Sequence, residues 1–306
     1  MGQGGPAAIR SMVTSVLASL EGEAHSEVER NLAKLGHWLY HHTISEDLHG
    51  YFRDLGPKLR RLQLISEEPW IPWELLKPTD LEGTDLQSDF LCARLETTRW
   101  LGSSRRAANQ LQAKEWTCVS EDGSSDRQPL EGWASDGGFR EVELEEPTVA
   151  AVLSLLDCGG SDLWHFAIRG QAPNHSNEVV PLLLGGSATL GSHHLFDLDP
   201  ENRRRPLVFL NTHDSARLRL VMDKLEGWPA AWIRHARCGA LVAPSWRVND
   251  RAAQLFAQYF YDGLRAGKTL GRTTLDARRR LRAEQRGATW LAYVVYGDPN
   301  AYLKGS

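Results

Sequence analysis

The chain has 306 residues, of which 42% are hydrophobic and 24% charged, and a net charge of -4. That is the composition of an ordinary globular protein with room for a large core, and its mildly acidic balance argues against a nucleic-acid partner, which needs a basic surface. No apolar run approaches the roughly 20 residues that cross a bilayer, and polar residues interrupt Met12, Val13, Val16 and Leu17. Neither a membrane span nor a secretory signal is therefore expected, and the expected location is the cytoplasm.

In chain order, residues 1–30 read as a helical or flexible segment. Val28, Leu32, Leu35, Trp38 and Leu39 recur at helical spacing across 27–41. A second helix is predicted over Ile44–Phe52, with Leu48, Tyr51 and Phe52 on one face, and a short strand over Leu62–Ile65. Pro69 and Pro72 disfavour helix in the residues before them, so helix is predicted only at or after Pro72. Residues 77–110 read as loops around a strand at Phe90–Leu95, and 115–120 alternate as a strand. Residues 121–138, rich in Gly, Ser and Asp, read as a surface loop and as the boundary between a half at 31–138 and a half at 139–306.

Beyond 147 the pattern alternates between strand and helix. A helix is predicted at Thr148–Leu156, then strands at Leu163–Ala167 and Pro206–Asn211, separated by a polar insertion over 171–205. A helix around Pro229–Arg237 leads to a strand at Ala240–Ala243. Helices follow at Asp250–Ala266, with Ala253, Phe256, Phe260 and Leu264 on one stripe, and at Thr269–Leu281, before a closing strand at Leu291–Tyr296. Such alternation predicts a mixed α/β fold with a mostly parallel sheet covered on both faces.

Several chemical signals have bland readings. Cys92, Cys118, Cys158 and Cys238 lack any Cys-x-x-Cys spacing and read as small apolar fillers. Trp73, Trp164, Trp232 and Trp290 sit in apolar runs and read as core. The pairs His41-His42 and His193-His194 are adjacent residues, a poor arrangement for one metal, so no metal or other cofactor is expected. The glycine-rich stretch 185–191 lacks the lysine of a phosphate loop. The run Arg278–Arg282 reads as the solvated face of a helix.

Six ordered segments carry a family resemblance: Pro72-Trp-Glu-Leu-Leu76; Leu163-Trp-His-Phe-Ala167 with Arg169-Gly170; Val208-Phe-Leu-Asn211; Gly239-Ala240 through Ser245-Trp-Arg-Val-Asn-Asp250; Phe260-Tyr-Asp-Gly-Leu264 with Gly267; and Trp290 through Pro299. Together they resemble the CHAT family of caspase-like cysteine peptidases. The resemblance implies a three-layer α/β/α caspase–haemoglobinase fold and a setting in bacterial regulated proteolysis or defence. In that family the first catalytic strand ends in His-Gly and the second in Asn-Ala-Cys. Here Arg169 stands at the histidine position and His213 at the cysteine position. A cysteine peptidase needs a thiolate and a base to generate it. Arginine keeps its proton and cannot be that base.

The expected role is therefore that of a catalytically inactive pseudo-peptidase. It would bind another protein, such as an active peptidase, a sensor or an effector, through a cleft near His165, Arg169, Asn211, His213, Asp214 and Asp250. Arg169 and His213 read either as a solvated remnant or as an anion site. His165, inside its strand, reads as a core histidine, and Asp250 as an acidic pocket residue or as the N-cap of its helix. Three other functions stay open: a hydrolase using Arg169, His213, Asp214 or Ser215; an active peptidase whose catalytic residues fall in a different register; and a structural module that assembles through its sheet edge.

Overall fold

The computed structural model describes residues 6–19, 25–56, 58–79, 89–120, 127–137, 139–144, 146–170, 179–184, 188–198, 204–284 and 287–304. Along the chain these form α1 (Pro6–Ser19), α2 (His25–Thr43), α3 (Glu46–Leu55), β1 (Arg61–Ile65), α4 (Leu91–Arg94), β2 (Glu96–Trp100), β3 (Gln110–Gln112), β4 (Glu115–Ser120), α5 (Gln128–Gly137), β5 (Arg140–Glu141), α6 (Val149–Asp157) and β6 (Leu163–Ala167). There follow β7 (Leu182–Leu183), β8 (Thr189–Leu190), β9 (Leu207–Leu210), β10 (Arg219–Val221), β11 (Lys224–Glu226), α7 (Trp228–Ala230, running on as a wider turn through His235), β12 (Ala240–Pro244), α8 (Asp250–Arg265), α9 (Leu270–Ala283), α10 (Thr289–Ala292), β13 (Tyr293–Tyr296) and β14 (Tyr302–Lys304).

Eight strands make one sheet in the order β1-β2-β13-β12-β9-β6-β4-β5. Neighbours run parallel except β12 and β13, which run antiparallel. One sheet thus continues through both halves of the chain: the first half supplies β1 and β2, joined at β13, and β4, joined at β6. The sequence explains the parallel block: β6, β9 and β12 are buried along their whole length, as strands covered on both faces must be. Two hydrophobic clusters occupy the two faces. One holds Leu32, Leu35 and Leu39 of α2 with Phe256, Phe260 and Leu264 of α8, and the other holds Val152 and Leu156 of α6 with Trp164, Phe166 and Trp232.

Most predicted elements appear within a residue or two, and the exceptions have physical causes. Phe90–Leu95 is not a strand. Leu91–Arg94 forms a helical turn, and the strand is the adjacent β2, whose polar-looking Glu96-Thr-Thr-Arg hides its pattern. Part of the predicted loop 121–138 is α5, where Leu130 and Trp133 are buried despite the glycines around them; residues 121–126 and 138 lie outside the described residues, as do residues 185–187 of the glycine-rich stretch and 171–178 and 199–203 of the insertion. The last strand is β14, which pairs with β3 in a small separate sheet. Cys92, Cys118 and Cys238 fill core positions, but Cys158 is exposed.

The basic run on α9 is not a solvated face. Arg278 is fully buried and donates from Nη2 to the Tyr293 carbonyl at 2.8 Å. Arg282 pairs with Glu29 at 2.7 Å and Asp89 at 2.5 Å, while Arg279 and Arg280 stay exposed. Three-residue spacing explains the split: on a helix, positions 278, 281 and 282 share the inward side.

The Pro-Trp-Glu-Leu-Leu segment owes its charge to packing. Glu74 is buried and grips Arg99 of β2 through both carboxylate oxygens, with Arg99 Nε at 2.9 Å from Oε1. The pair fastens the 72–76 segment to the sheet. Removing one partner of a buried pair leaves an uncompensated charge, which costs about 3–5 kcal/mol. Glu74→Gln is accordingly expected to lower the unfolding free energy by about 3 kcal/mol in urea titration. Glu74→Met combined with Arg99→Met, which leaves no orphaned charge, is expected to recover most of that loss.

Candidate functional site

Parallel packing brings the C-terminal ends of β6, β9 and β12 to one edge of the sheet. The loops that follow carry Arg169 and His213, and the third leads into α8 at Asp250. Direct hydrogen bonds hold the first two loops side by side. Asn211 N donates to the Phe166 carbonyl at 2.7 Å, and the Thr212 hydroxyl donates to the Ile168 carbonyl at 2.7 Å. Ala216 N donates to the Pro244 carbonyl at 2.9 Å and so ties the β9 loop to β12. Gly170 is required by close approach: a Cβ there would lie 2.2 Å from Val180 Cγ1. Asp214 adopts φ 61°, a left-handed conformation that Asp tolerates better than most residues. This sharp turn directly follows His213.

His213 is held by the third loop. Its Nδ1 accepts the backbone N–H of Val248 at 3.3 Å, and its Nε2 lies 3.9 Å from Asp250 Oδ1. A neutral imidazole has one acceptor nitrogen and one donor nitrogen. With Nδ1 accepting, the proton sits on Nε2 and faces Asp250. Asp250 lies beyond hydrogen-bond distance, so of the two ring nitrogens it is Nδ1 that the structure engages.

Arg169 is exposed at the end of β6, and its carbonyl accepts Leu183 N at 3.0 Å. Asn211 is oriented from below by the Tyr293 hydroxyl, which donates to its Oδ1 at 2.6 Å. Asp214 lies 2.8 Å from Arg217 Nε, an ion pair not aligned as a hydrogen bond. Burial pushes the Asp214 carboxyl above its ordinary range, and the Arg217 charge only partly offsets this.

Asp250 is not the cap of α8. Asn249 is, its Oδ1 accepting from Ala252 N at 3.1 Å. The cap falls one residue earlier than the sequence suggests because Asn caps as well as Asp. Asp250 is thereby left in the first helical turn with its side chain 99% exposed beside His213.

His165 does not belong to this cleft. It is completely buried among Phe209 and Tyr261 on one face of the sheet, with Nδ1 2.8 Å from the Tyr261 hydroxyl. Ser215 is buried, and its hydroxyl points back into its own turn, donating to the Thr212 carbonyl at 2.6 Å. It presents no nucleophile to solvent. Nor does a thiol reach the site. Cys92 and Cys238 are buried, with burial raising both thiols, Cys92 to about 12. Cys118 is buried within β4. Cys158 caps α6 before β6 begins, at the end of the strand opposite to Arg169.

The residues that composition and motif reading did not connect are Val248, whose backbone holds His213, and Arg217, which pairs with Asp214. The Ser-Trp-Arg-Val-Asn-Asp segment was the only signal for the first. Arg217 has no signal of its own, since its role depends on the 214 turn. Beside the site, Arg217, Leu218, Ser245 and Trp246 form part of a cleft of about 120 Å³, faced by Trp70 and Pro72. Among the described residues, no three His, Cys, Asp or Glu side chains are arranged to hold a metal, and no helix is long and apolar enough to cross a membrane.

Comparison with known proteins agrees with the architecture. The profile of the CHAT domain matches residues 31–298. No curated protein matches the chain at a significant level. Among solved structures, the complex of the pro- and mature domains of RgpB from Porphyromonas gingivalis is similar with a TM-score of 0.57 and 11% identity, over 85% of this chain and 69% of that one. The Arg-specific cysteine proteinase gingipain R is similar with a TM-score of 0.52 and 13% identity, over 69% of this chain. The aligned part spans 56% of the length of gingipain R. At these identities the likeness is one of fold.

Two outcomes follow from the buried groups. Iodoacetamide is expected to label Cys158 alone in the folded chain, read by peptide mass mapping, and the other three cysteines only after unfolding. Burial lowers His165 from 6.5 to about 3. The unfolded chain therefore takes up a proton near pH 6.5 that the folded chain refuses until about pH 3, so stability falls as pH drops through that window. His165→Gln, which does not titrate, is expected to flatten the decline in unfolding free energy between those limits.

Proposed function

We propose that this chain, which belongs to the CHAT domain family, is a pseudo-peptidase that binds protein through the cleft its relatives use for catalysis. The observation that carries this reading is His213. Aligned on its strand motif, it falls where the family has cysteine; its Nδ1 accepts from Val248 N, and its Nε2 lies 3.9 Å from Asp250. Arg169 at the histidine position offers no base. A second route through Ser215 meets a hydroxyl turned into its own loop.

The remaining architecture suits recognition of an extended segment. The strand ends keep their register, the loops after β6, β9 and β12 stay tied together, and an exposed carboxylate stands at the rim. Asp250, free of capping duty, matches a basic side chain on the bound segment, and a charged hydrogen bond there is worth about 1.5–3 kcal/mol. The partner would be another protein, such as an active peptidase, a sensor or an effector in a bacterial regulatory or defence assembly.

The test compares the unaltered chain with Arg169→His plus His213→Cys on a library of peptides containing Lys and Arg. The unaltered chain is expected to bind without cleaving, with or without thiol alkylation. Restored residues that yield alkylation-sensitive cleavage would support the alignment of both positions. Cleavage by the unaltered chain would overturn the reading. Asp250→Ala is expected to weaken binding of basic peptides about 10–100-fold while leaving neutral ones unchanged.

A further inference from the structure

One wall of the cleft comes from outside the region that defines the family. The family profile begins at residue 31, whereas α1 covers Pro6–Ser19. Val13, Thr14 and Leu17 of α1 line the cleft opposite Arg217, Leu218 and Trp246. Those opposing residues stand on the loops after β9 and β12, of which the first carries His213 and the second leads into α8 at Asp250. The added helix therefore narrows the space next to the candidate site.

Among its described side chains, α1 is held by one short apolar stripe. Ile9 is buried, and Val13, Val16 and Leu17 are half-buried against the α2–α8 core cluster. These four positions make a single apolar stripe. Ala8, Ser11, Met12, Thr14 and Ser15 are exposed. The first turn has no acidic residue and the last no basic one, so side-chain charge does not complement the helix dipole at either end. An isolated helix of this length is marginal in water and depends on its packed face. Elements with few buried contacts are those that open locally at low free-energy cost.

We propose that α1 is a strap: docked, it closes one side of the cleft, and released, it opens that side to an extended polypeptide. The strap motion stands on the packing of α1 alone, and the identity of the ligand rests on the peptide-binding reading above. Release need not disturb the sheet, because the loop bonds at Asn211, Thr212 and Ala216 are made without α1.

The experiment uses the full chain in a Cys158→Ser background carrying Ser245→Cys, a thiol placed in the cleft. Maleimide labelling of that thiol is timed with and without Val13→Asp plus Leu17→Asp, and amide exchange is followed in α1, α2 and α8. The released variant is expected to label about tenfold faster, in proportion to the added population of the open state. Exchange in α8 is expected to stay unchanged and exchange in α1 to be the fastest of the three helices. Equal labelling rates would overturn the strap, and so would faster exchange spreading to α8, since α1 would then be part of the core. A strap that opens on a cleft that binds no peptide would sink the ligand reading and leave the strap standing.

Discussion

The hydrogen bond from the Thr212 hydroxyl to the Ile168 carbonyl is the constraint on which the site depends. It joins the ends of β6 and β9 after their ladder has stopped, so residues 169 and 213 are displayed together at one edge of the sheet. The bond from Asn211 N to Phe166 sets the register beneath it, and Ala216 N to Pro244 extends the tie to β12. A neutral hydrogen bond adds about 1 kcal/mol. Three of them acting on adjacent loops explain how the ends of β6, β9 and β12 stay together at one edge of the sheet. Packing below reinforces it: Tyr293 stacks on Phe256 at 3.9 Å and holds Asn211 by its hydroxyl, while buried Arg278 holds the Tyr293 carbonyl.

Core and site differ in how much a substitution costs. Glu74, Tyr293 and Arg278 sit in the core, where replacement leaves orphaned charges or cavities. Positions 169 and 213 lie on loops at the surface, where substitution costs the fold little. His213 is nonetheless tied to the structure, since Val248 N uses its Nδ1 as an acceptor.

Much of the fold could be read from the amino-acid pattern, because β6, β9 and β12 are short continuous apolar runs between amphipathic helices. The readings that failed are those in which tertiary packing overrides local character. Glu96-Thr-Thr-Arg looks like a loop but forms a strand, because it lies between β1 and β13 with its charges paired, Glu96 to Arg61 and Arg99 to Glu74. Arg278 looks solvated but is buried, because its exposed neighbours Arg279 and Arg280 fall on other sides of the same helical turn. The strand contexts of Arg169 and His213 were legible, since both follow buried strands of the parallel block. The role of Val248 and the fate of Ser215 were not, since each depends on a loop conformation with Asp214 at positive φ.

The central claim is that the loops after β6, β9 and β12 form a surface that binds polypeptide without cutting it. Amide exchange of the intact chain, measured with and without a saturating library of basic extended peptides, tests this most directly. The account predicts slower exchange at residues 211–217 and 245–250, no change in β4 or α6, and intact peptides at the end of the incubation. Protection confined to any other face of the molecule, or a cleaved library, would contradict it.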